Sequence, residues 1–162
     1  MQSIYFVDSN FSYESSKKSI LSIRYATDGF SFCVHDETEK LVVFVHEPYA
    51  ADSREAAVDR LKNYVVNDAI LNLRFKKVYI MPCFKEKLLV PGAFFDKANI
   101  ATLYTVNQEV APDDTILYHH IEGIEAYLVE TVISSFHDFV REHFSVVQIV
   151  NGAYPFILGA MA

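Results

Sequence analysis

Residues 20–46 read ILSIRYATDGFSFCVHDETEKLVVFVH, and this stretch decides the fold class. Three apolar runs lie within it, at 20–25, 30–35 and 41–46. Alternating apolar residues predict β-strands, and Asp28-Gly29 between two such runs is a strong hairpin signal, a type I′ turn or a related one. Asp36–Glu39 supplies the second turn. The stretch therefore predicts three antiparallel strands joined by short connections.

The meander is followed by a predicted helix and a predicted parallel strand. Asp52 followed by Glu55 has the form of a capping box, with Asp52 as the N-terminal cap. Apolar residues then recur at near-helical spacing to about Leu73. The apolar segment 78–81, ended by Pro82, follows this crossover, so we expect it to pair parallel to the first strand.

The second half of the chain is less regular. Its predicted elements are a strand at 88–90, a short helix from Asp96 to about Tyr104, strands at 116–121 and 126–131 joined at Glu122-Gly123, a helix capped by Ser135 with Asp138 three residues later, a strand at 146–150, and the start of a helix from Tyr154 to Met161. The first helix and the hairpin of this half interrupt a simpler order of elements. We interpret them as an insertion.

Without the insertion, the order of elements is that of the ribonuclease-H-like fold, a mixed α/β class. Residues 1–19 then form an N-terminal arm, and residues 20–162 form the lobe. Actin-like ATPases, sugar kinases and heat-shock chaperones use two such lobes and bind nucleotide in the cleft between them.

Particular segments also carry a resemblance to a known family. They are Leu21–Arg24, Asp28–Phe32, Lys77–Ile80, Leu89–Pro91 and Phe94–Asp96. Together they resemble an uncharacterised bacterial family grouped with the actin-like ATPases, over about residues 20–155. Members of that family are generally longer and carry a second related domain. The resemblance implies that this chain corresponds to the N-terminal half, and it brings no active site with it, because the family's function is unknown.

Charge and cysteine content exclude several classes of function. Fourteen Lys and Arg against 21 Asp and Glu give a net charge of −7, which argues against nucleic-acid binding. Cys33 and Cys83 form no C-x-x-C motif, and we expect both to be small buried side chains. The N-terminus has no signal-peptide pattern. The uncharged stretch 144–162 is interrupted by glycine, proline and amides, so we expect no membrane span and a cytoplasmic protein.

The sequence lacks most of the carboxylates that the nucleases of this fold need. Two-metal nucleases need carboxylates on the first strand, the first helix and the end of the fourth strand. Neither 20–25 nor 78–81 contains an acidic residue, and only Glu55 and Asp59 on the helix fit in type. We therefore predict no nuclease.

The first hairpin is the candidate nucleotide site. Actin-like ATPases place an aspartate near the end of the first strand and a glycine turn whose backbone N–H groups bind phosphate, with Mg²⁺ held through water. Here Arg24 stands where that aspartate would fall, and Asp28 brings negative charge to the turn. Thr27, Asp28 and Gly29 are the residues that would contact ATP if the site works, and a plain structural hairpin is the competing interpretation.

Histidines and cysteines give weaker signals. His119 and His120 are adjacent on a predicted strand and point to opposite faces, so both cannot readily bind one metal ion. Either one could meet Glu130 across the second hairpin, although structural histidines are the plainer interpretation. Cys83 lies at the carboxyl end of a strand, where sites form in open α/β sheets, but no nucleophile motif surrounds it. We predict no metal or catalytic site.

The aromatic content points to interactions. Thirteen Phe and ten Tyr are more than a small core readily hides, and exposed aromatic patches mark partner surfaces. We therefore predict a non-catalytic interaction or scaffold protein with a protein partner or self-association, and with no cofactor. The alternative is an ATP-binding protein whose cleft is completed by a second lobe.

Overall fold

The computed structural model describes residues 2–121 and 123–153, which form a mixed α/β structure with two sheets. In chain order the strands and helices are β1 (Ile4–Val7), α1 (Tyr13–Ser16), β2 (Ile20–Ala26), β3 (Gly29–His35), β4 (Leu41–Pro48), α2 (Arg54–Asn67), β5 (Lys77–Pro82), β6 (Lys87–Pro91), α3 (Ile100–Asn107), β7 (Asp114–Ile121), β8 (Ala126–Ile133), α4 (Ser134–His143) and β9 (Val147–Ile149). A 3₁₀ turn, Gly92–Phe94, follows β6.

The main sheet has the strand order β1-β4-β3-β2-β5-β9. Strands β2, β3 and β4 pair antiparallel, whereas β5 pairs parallel to β2 and β9 pairs parallel to β5. The predicted meander, the crossover through α2 and the parallel fourth strand are therefore confirmed. The carboxyl ends of β2 and β5 lie side by side, since Tyr25 is in register with Pro82.

The core lies on one face of the main sheet, under α2 and α4. Alternate residues of the central strands point into it, as the two-residue period of a strand requires. Tyr25 of β2, which is fully buried, packs its ring 5.0 Å from that of Phe136 on α4. Leu61 and Val65 of α2 complete the packing with helical spacing.

The N-terminal segment contains a strand that the sequence analysis did not identify. β1 pairs antiparallel with β4 and forms one end of the main sheet, and the Asp8 backbone N–H continues the ladder to the Val42 carbonyl oxygen at 2.8 Å. Its apolar run of four residues is too short to establish the two-residue period of a strand.

The second sheet and α3 form an insertion, residues 87–133. The predicted insertion contained only the helix and the hairpin, and the structure adds β6 to them. The strand order of the second sheet is β6-β8-β7, with both pairs antiparallel. One face packs on α3 around Val90, Ile100, Tyr104 and Val129, which make a separate small core. The strands at 88–90, 116–121 and 126–131 are confirmed, with β7 and β8 each extending two residues further at the end away from their hairpin.

Helix ends differ from the prediction where polar side chains bind the backbone. Ser53, not Asp52, caps α2 by accepting a bond from the Ala56 N–H at 3.1 Å. The helix stops at Asn67 rather than near Leu73, because the Asp68 carboxylate accepts the N–H groups of the next turn.

The ends of the two later helices also differ. α3 begins at Ile100, after an Asp96 carboxylate that accepts the Ala98 N–H. α4 begins at Ser134, with Ile133 as its cap and no capping side chain, so the predicted Ser135 cap is wrong.

Two predictions touch residues that the structure does not describe. Glu122, half of the second hairpin turn, and the helix start from Tyr154 to Met161 both lie outside the described residues. Within 2–121 and 123–153, no helix is both long enough and apolar enough to cross a membrane.

Candidate functional site

The turn between β2 and β3 is held by contacts within the protein. Asp28 forms an ion pair with Arg24, with 3.1 Å between Oδ1 and Nη1. The carbonyl oxygens of Thr27 and Asp28 accept backbone bonds from Ala51 at 2.8 Å and Tyr49 at 3.2 Å. Neither Thr27 nor Asp28 has a positive φ, so the turn is not type I′, which needs one at both central residues. The side chains of Thr27 and Asp28 are exposed.

Gly29 is explained by strand packing. Its φ is +144°, and a Cβ there would lie 2.6 Å from the Glu47 carbonyl oxygen and 3.0 Å from Pro48 Cα. Both contacts are backbone, which cannot move aside without breaking the β3–β4 pairing. The glycine is therefore required by the fold, and nucleotide binding at Thr27, Asp28 and Gly29 stays a prediction.

The carboxyl end of β5 is covered by charged residues of the insertion. Lys87 of β6 and Glu130 of β8 face each other, with Lys87 Nζ 3.0 Å from Glu130 Oε2. Lys87 Nζ also donates to the Pro82 carbonyl oxygen at 3.2 Å, which joins the pair to the end of β5. Only 3% of the Glu130 side chain is exposed, and this burial raises the pKa of its carboxyl group although Lys87 opposes the shift.

His119 and Asn151 complete a buried polar cluster around Glu130. His119 Nε2 lies 4.0 Å from Glu130 Oε1, and Asn151, just after β9, is fully buried. In the described part of the chain, three buried side-chain atoms have no hydrogen-bond partner: His119 Nε2, Asn151 Nδ2 and Glu130 Oε1. Burial lowers the pKa of His119. The cluster combines a carboxyl group, an imidazole and an amide, but it is closed to solvent around Glu130.

Of the two histidines predicted to be able to contact Glu130, only one lies near it. His119 faces Glu130, whereas His120 points to the other face and lies 3.6 Å from Glu125. In the residues that the structure describes, no group of three His, Cys, Asp or Glu side chains is placed to hold a metal ion. Glu55 and Asp59 lie on the exposed face of α2.

A second polar contact joins α2 to the insertion. Arg54 donates to Thr131 Oγ1 at 2.7 Å and forms an ion pair with Asp114. A cavity of about 300 Å³ opens beside it, lined by Arg54, Glu86, Glu109, Val110, Ala111 and Asp114. Because three carboxylates outnumber one guanidinium there, the cavity does not favour a phosphate or another anion.

Among the exposed apolar side chains, two groups lie close together and form surfaces. The edge surface is Ile4, Tyr5 and Phe6 of β1, exposed by 50, 66 and 45%. The insertion surface is Phe94 with Val106 of α3, exposed by 75 and 79%. Exposed apolar groups concentrated in this way are a feature of contact surfaces.

The two cysteines are free thiols and are only half-buried. The prediction that both are buried is therefore wrong. Cys33 lies within β3, and burial raises the pKa of its thiol. Cys83 follows β5, where its Sγ would be 2.3 Å from a Cβ added at Gly152. A glycine at 152 therefore lets the chain after β9 pass close to Cys83.

Sequence reasoning missed Lys87, Asn151 and the Arg54–Asp114 pair. Each partner is distant in sequence, and Arg54 and Lys87 lie in segments where a solvated charge is the ordinary expectation. A usable signal existed for Glu130, which is the only charged residue in the apolar run 126–133. A charge in a strand buried on both faces needs a partner, but the sequence does not say which.

Comparisons with known proteins give a family and a fold. A family described as "Protein of unknown function (DUF3822)" matches residues 8–162. A crystal structure of a Bacteroides thetaiotaomicron protein with actin-like ATPase fold and unknown function superposes with a TM-score of 0.80 at 23% sequence identity. The match covers 91% of this chain and 57% of that one, so the chain spans little more than half of its structural neighbour. No curated protein matches the sequence significantly.

Proposed function

The chain belongs to the DUF3822 family of unknown function and has an actin-like ATPase fold, and from this we propose that it is a non-catalytic interaction or scaffold protein. It would act by binding another protein chain through its exposed apolar surfaces. The observation that carries the proposal is the contrast between these surfaces and the carboxyl end of β5, which the protein itself covers.

The carboxyl end of β5, a central strand of the main sheet, is occupied by the protein itself. In open α/β sheets a ligand binds in the crevice outside these ends. Here the Lys87–Glu130 pair lies over the end of β5, and Lys87 is bonded to Pro82. A ligand at this position would have to displace a buried ion pair, whose separated charges are costly to leave unpaired.

The edge and insertion surfaces offer what a partner needs. Protein interfaces have an apolar centre with a polar rim and are enriched in aromatic side chains. Tyr5 and Phe6 supply aromatic side chains on the edge surface, and Phe94 supplies one on the insertion surface. A groove of about 330 Å³ beside Phe94 and Val106 is rimmed by Asp96 and Asn99.

Site-specific photo-crosslinking in the source cell tests the proposal. A photoreactive residue would be placed at Tyr5 or at Val106, in the full-length protein. The control position is Val66 of α2, which is similarly exposed but belongs to neither surface. We expect a discrete protein adduct from at least one test position and none from Val66. The absence of a discrete adduct at both test positions would overturn the proposal.

The second candidate is an ATP-binding protein whose cleft is completed by a second lobe. It is favoured by the structural neighbour, of which this chain covers 57%, because actin-like folds bind nucleotide between two lobes. Thr27, Asp28 and Gly29 would then contact the phosphates, with Mg²⁺ as the counterion. Calorimetry with Mg-ATP on the full-length protein separates the candidates: saturable heat supports this one, and its absence together with an unchanged melting temperature supports the first.

The proposal also includes a cellular compartment and excludes one class of partner. We place the protein in the cytoplasm, because its two cysteines are free and a reducing compartment keeps thiols unpaired. Nucleic acid is not a proposed partner, since a net charge of −7 repels phosphate.

A further inference from the structure

The backbone of β1 offers half of its hydrogen-bonding groups to a further strand. β1 ends the main sheet, so within the described residues only its β4 side is paired. The Asp8 N–H bonds to Val42, and in an antiparallel ladder the residues that exchange bonds recur at every second position. Phe6 and Ile4 therefore bond to β4 like Asp8. The N–H and C=O groups of Tyr5 and Val7 point away from the sheet.

Apart from its shortness, at four residues, this edge carries none of the features that protect natural edge strands. Edges are usually blocked by a lysine, a proline, a bulge or an inward-pointing charge. Residues 4–7, Ile-Tyr-Phe-Val, contain no charge, proline or glycine, and β1 pairs with β4 in unbroken register. β1 can therefore pair with a further strand, because its outward backbone groups are free in the described residues and no side chain blocks them.

The parity of the backbone groups restricts how the strand can pair with itself. Consider an antiparallel pair of identical β1 strands related by a two-fold axis. Residues whose N–H and C=O groups point away from the main sheet, such as Tyr5 and Val7, must then lie opposite residues of the same kind. Centring the pair on Tyr5 satisfies this rule, and it sets Ile4 opposite Phe6 of the second copy. It also sets Gln2 opposite Asp8, so that no like charges meet. Centring the pair on Phe6 instead places Ile4 opposite Asp8 and buries an apolar side chain against a carboxylate. Centring it on Ile4 places Phe6 opposite Gln2 and loses the contact between Ile4 and Phe6.

We propose that β1 pairs antiparallel with β1 of a second copy of this chain, with the two Tyr5 residues at the two-fold axis. This inference rests on the proposed function, since it names the partner of the edge surface. A second copy is the occupant because the strand is self-complementary in the Tyr5-centred register, as an isologous interface requires. The main sheets of the two copies then become one continuous sheet. Since the strand is four residues long, the dimer is weak and forms with rising concentration.

Sedimentation equilibrium on the full-length protein over a wide concentration range tests the pairing. The wild type should change from monomer to dimer. Tyr5→Lys places two charges together at the axis, and Tyr5→Pro removes an outward N–H that β4 does not use. Both should weaken dimerisation at least tenfold. Tyr13→Ser is the control, because Tyr13 is also half-exposed but lies outside β1. Circular dichroism checks that each variant is folded.

Disulfide trapping tests the register. Residues of a hydrogen-bonded antiparallel pair have Cα atoms about 5.5 Å apart, within reach of a disulfide. The Tyr5→Cys variant should give a reducible covalent dimer well above the wild-type background of Cys33 and Cys83, whereas Tyr13→Cys should not. A strictly monomeric wild type, or a dimer that Tyr5→Lys and Tyr5→Pro leave intact, overturns the inference. A monomer whose Tyr5 position still cross-links another protein overturns it while leaving the proposed function standing.

Discussion

Arg54 and Asp114 form a buried ion pair between α2 and the insertion, although 60 positions separate them in the sequence. Only 2% of the Asp114 side chain is exposed, and its other oxygen accepts the Ala111 N–H at 3.0 Å. Arg54 uses a second nitrogen on Thr131. Together with Lys87, which bonds to the end of β5, this pair fastens the insertion to the lobe at two points. The two sheets are thus joined by polar contacts as well as by packing.

Replacing Arg54 tests the first of these attachments. Arg54→Met leaves the Asp114 carboxylate buried without its cation, which should lower the free energy of unfolding by about 3–5 kcal/mol. The double variant Arg54→Met/Asp114→Asn removes the charge as well and should regain most of the loss. Urea denaturation measures both. A cost below about 1 kcal/mol for the single variant would mean that water already solvates Asp114.

Replacing Lys87 tests the second attachment and carries a pH signature. The pKa of Glu130 is raised in the folded protein, so its contribution to stability is present below its unfolded pKa of about 4.5 and is lost as pH rises through the folded value. Lys87→Met removes the cation that opposes this loss. We expect urea denaturation to show a larger decrease in stability in the variant than in the wild type as the pH rises above about 4.5.

The control for Lys87 is the neutral pair. Lys87→Met/Glu130→Gln has no charge to bury, so this part of the pH dependence should disappear. If Lys87→Met and the neutral pair show the same slope, then Glu130 is not the group responsible.

Local signals in the sequence were sufficient for most of the fold. Asp28-Gly29 and the alternation around it fixed β2 and β3, and the parallel β5 followed from the crossover rule. β1 was missed because four residues are too few for a periodicity argument. The start of α2 was misplaced by one residue because Asp52 and Ser53 are adjacent and either residue type is a good cap.

The candidate site was much less predictable than the fold. Opposite faces for His119 and His120 follow from strand geometry, and the structure has them so. Which of the two meets Glu130 depends on which face of the insertion packs on the lobe. That packing is a long-range property, as is the approach of Lys87 to Pro82, and single-strand patterns carry no information about either.

Two glycine substitutions should differ in whether they can be rescued. Gly29→Ala puts a Cβ 2.6 Å from a backbone oxygen at a positive φ, whereas the nearest atom at Gly152→Ala is the Cys83 side chain. Each should cost about 1–3 kcal/mol of stability, measured by thermal unfolding. Adding Cys83→Ala should recover part of the Gly152→Ala loss, with the Pro82 oxygen at 2.8 Å limiting it. Recovery in the Gly29→Ala background, where Cys83 plays no part, would contradict this account.

Protonation of His119 reports on the buried polar cluster. The 4.0 Å between its Nε2 and Glu130 Oε1 is too long for a hydrogen bond, so burial dominates and the pKa of His119 lies below the usual 6.5. A lowered histidine pKa contributes stability that is present above pH 6.5 and is lost as pH falls through the folded value. NMR titration should show the lowered pKa, and His119→Gln should reduce the loss of stability on acidification. A pKa of His119 above 6.5 would instead indicate that the Glu130 carboxylate stabilises the imidazolium.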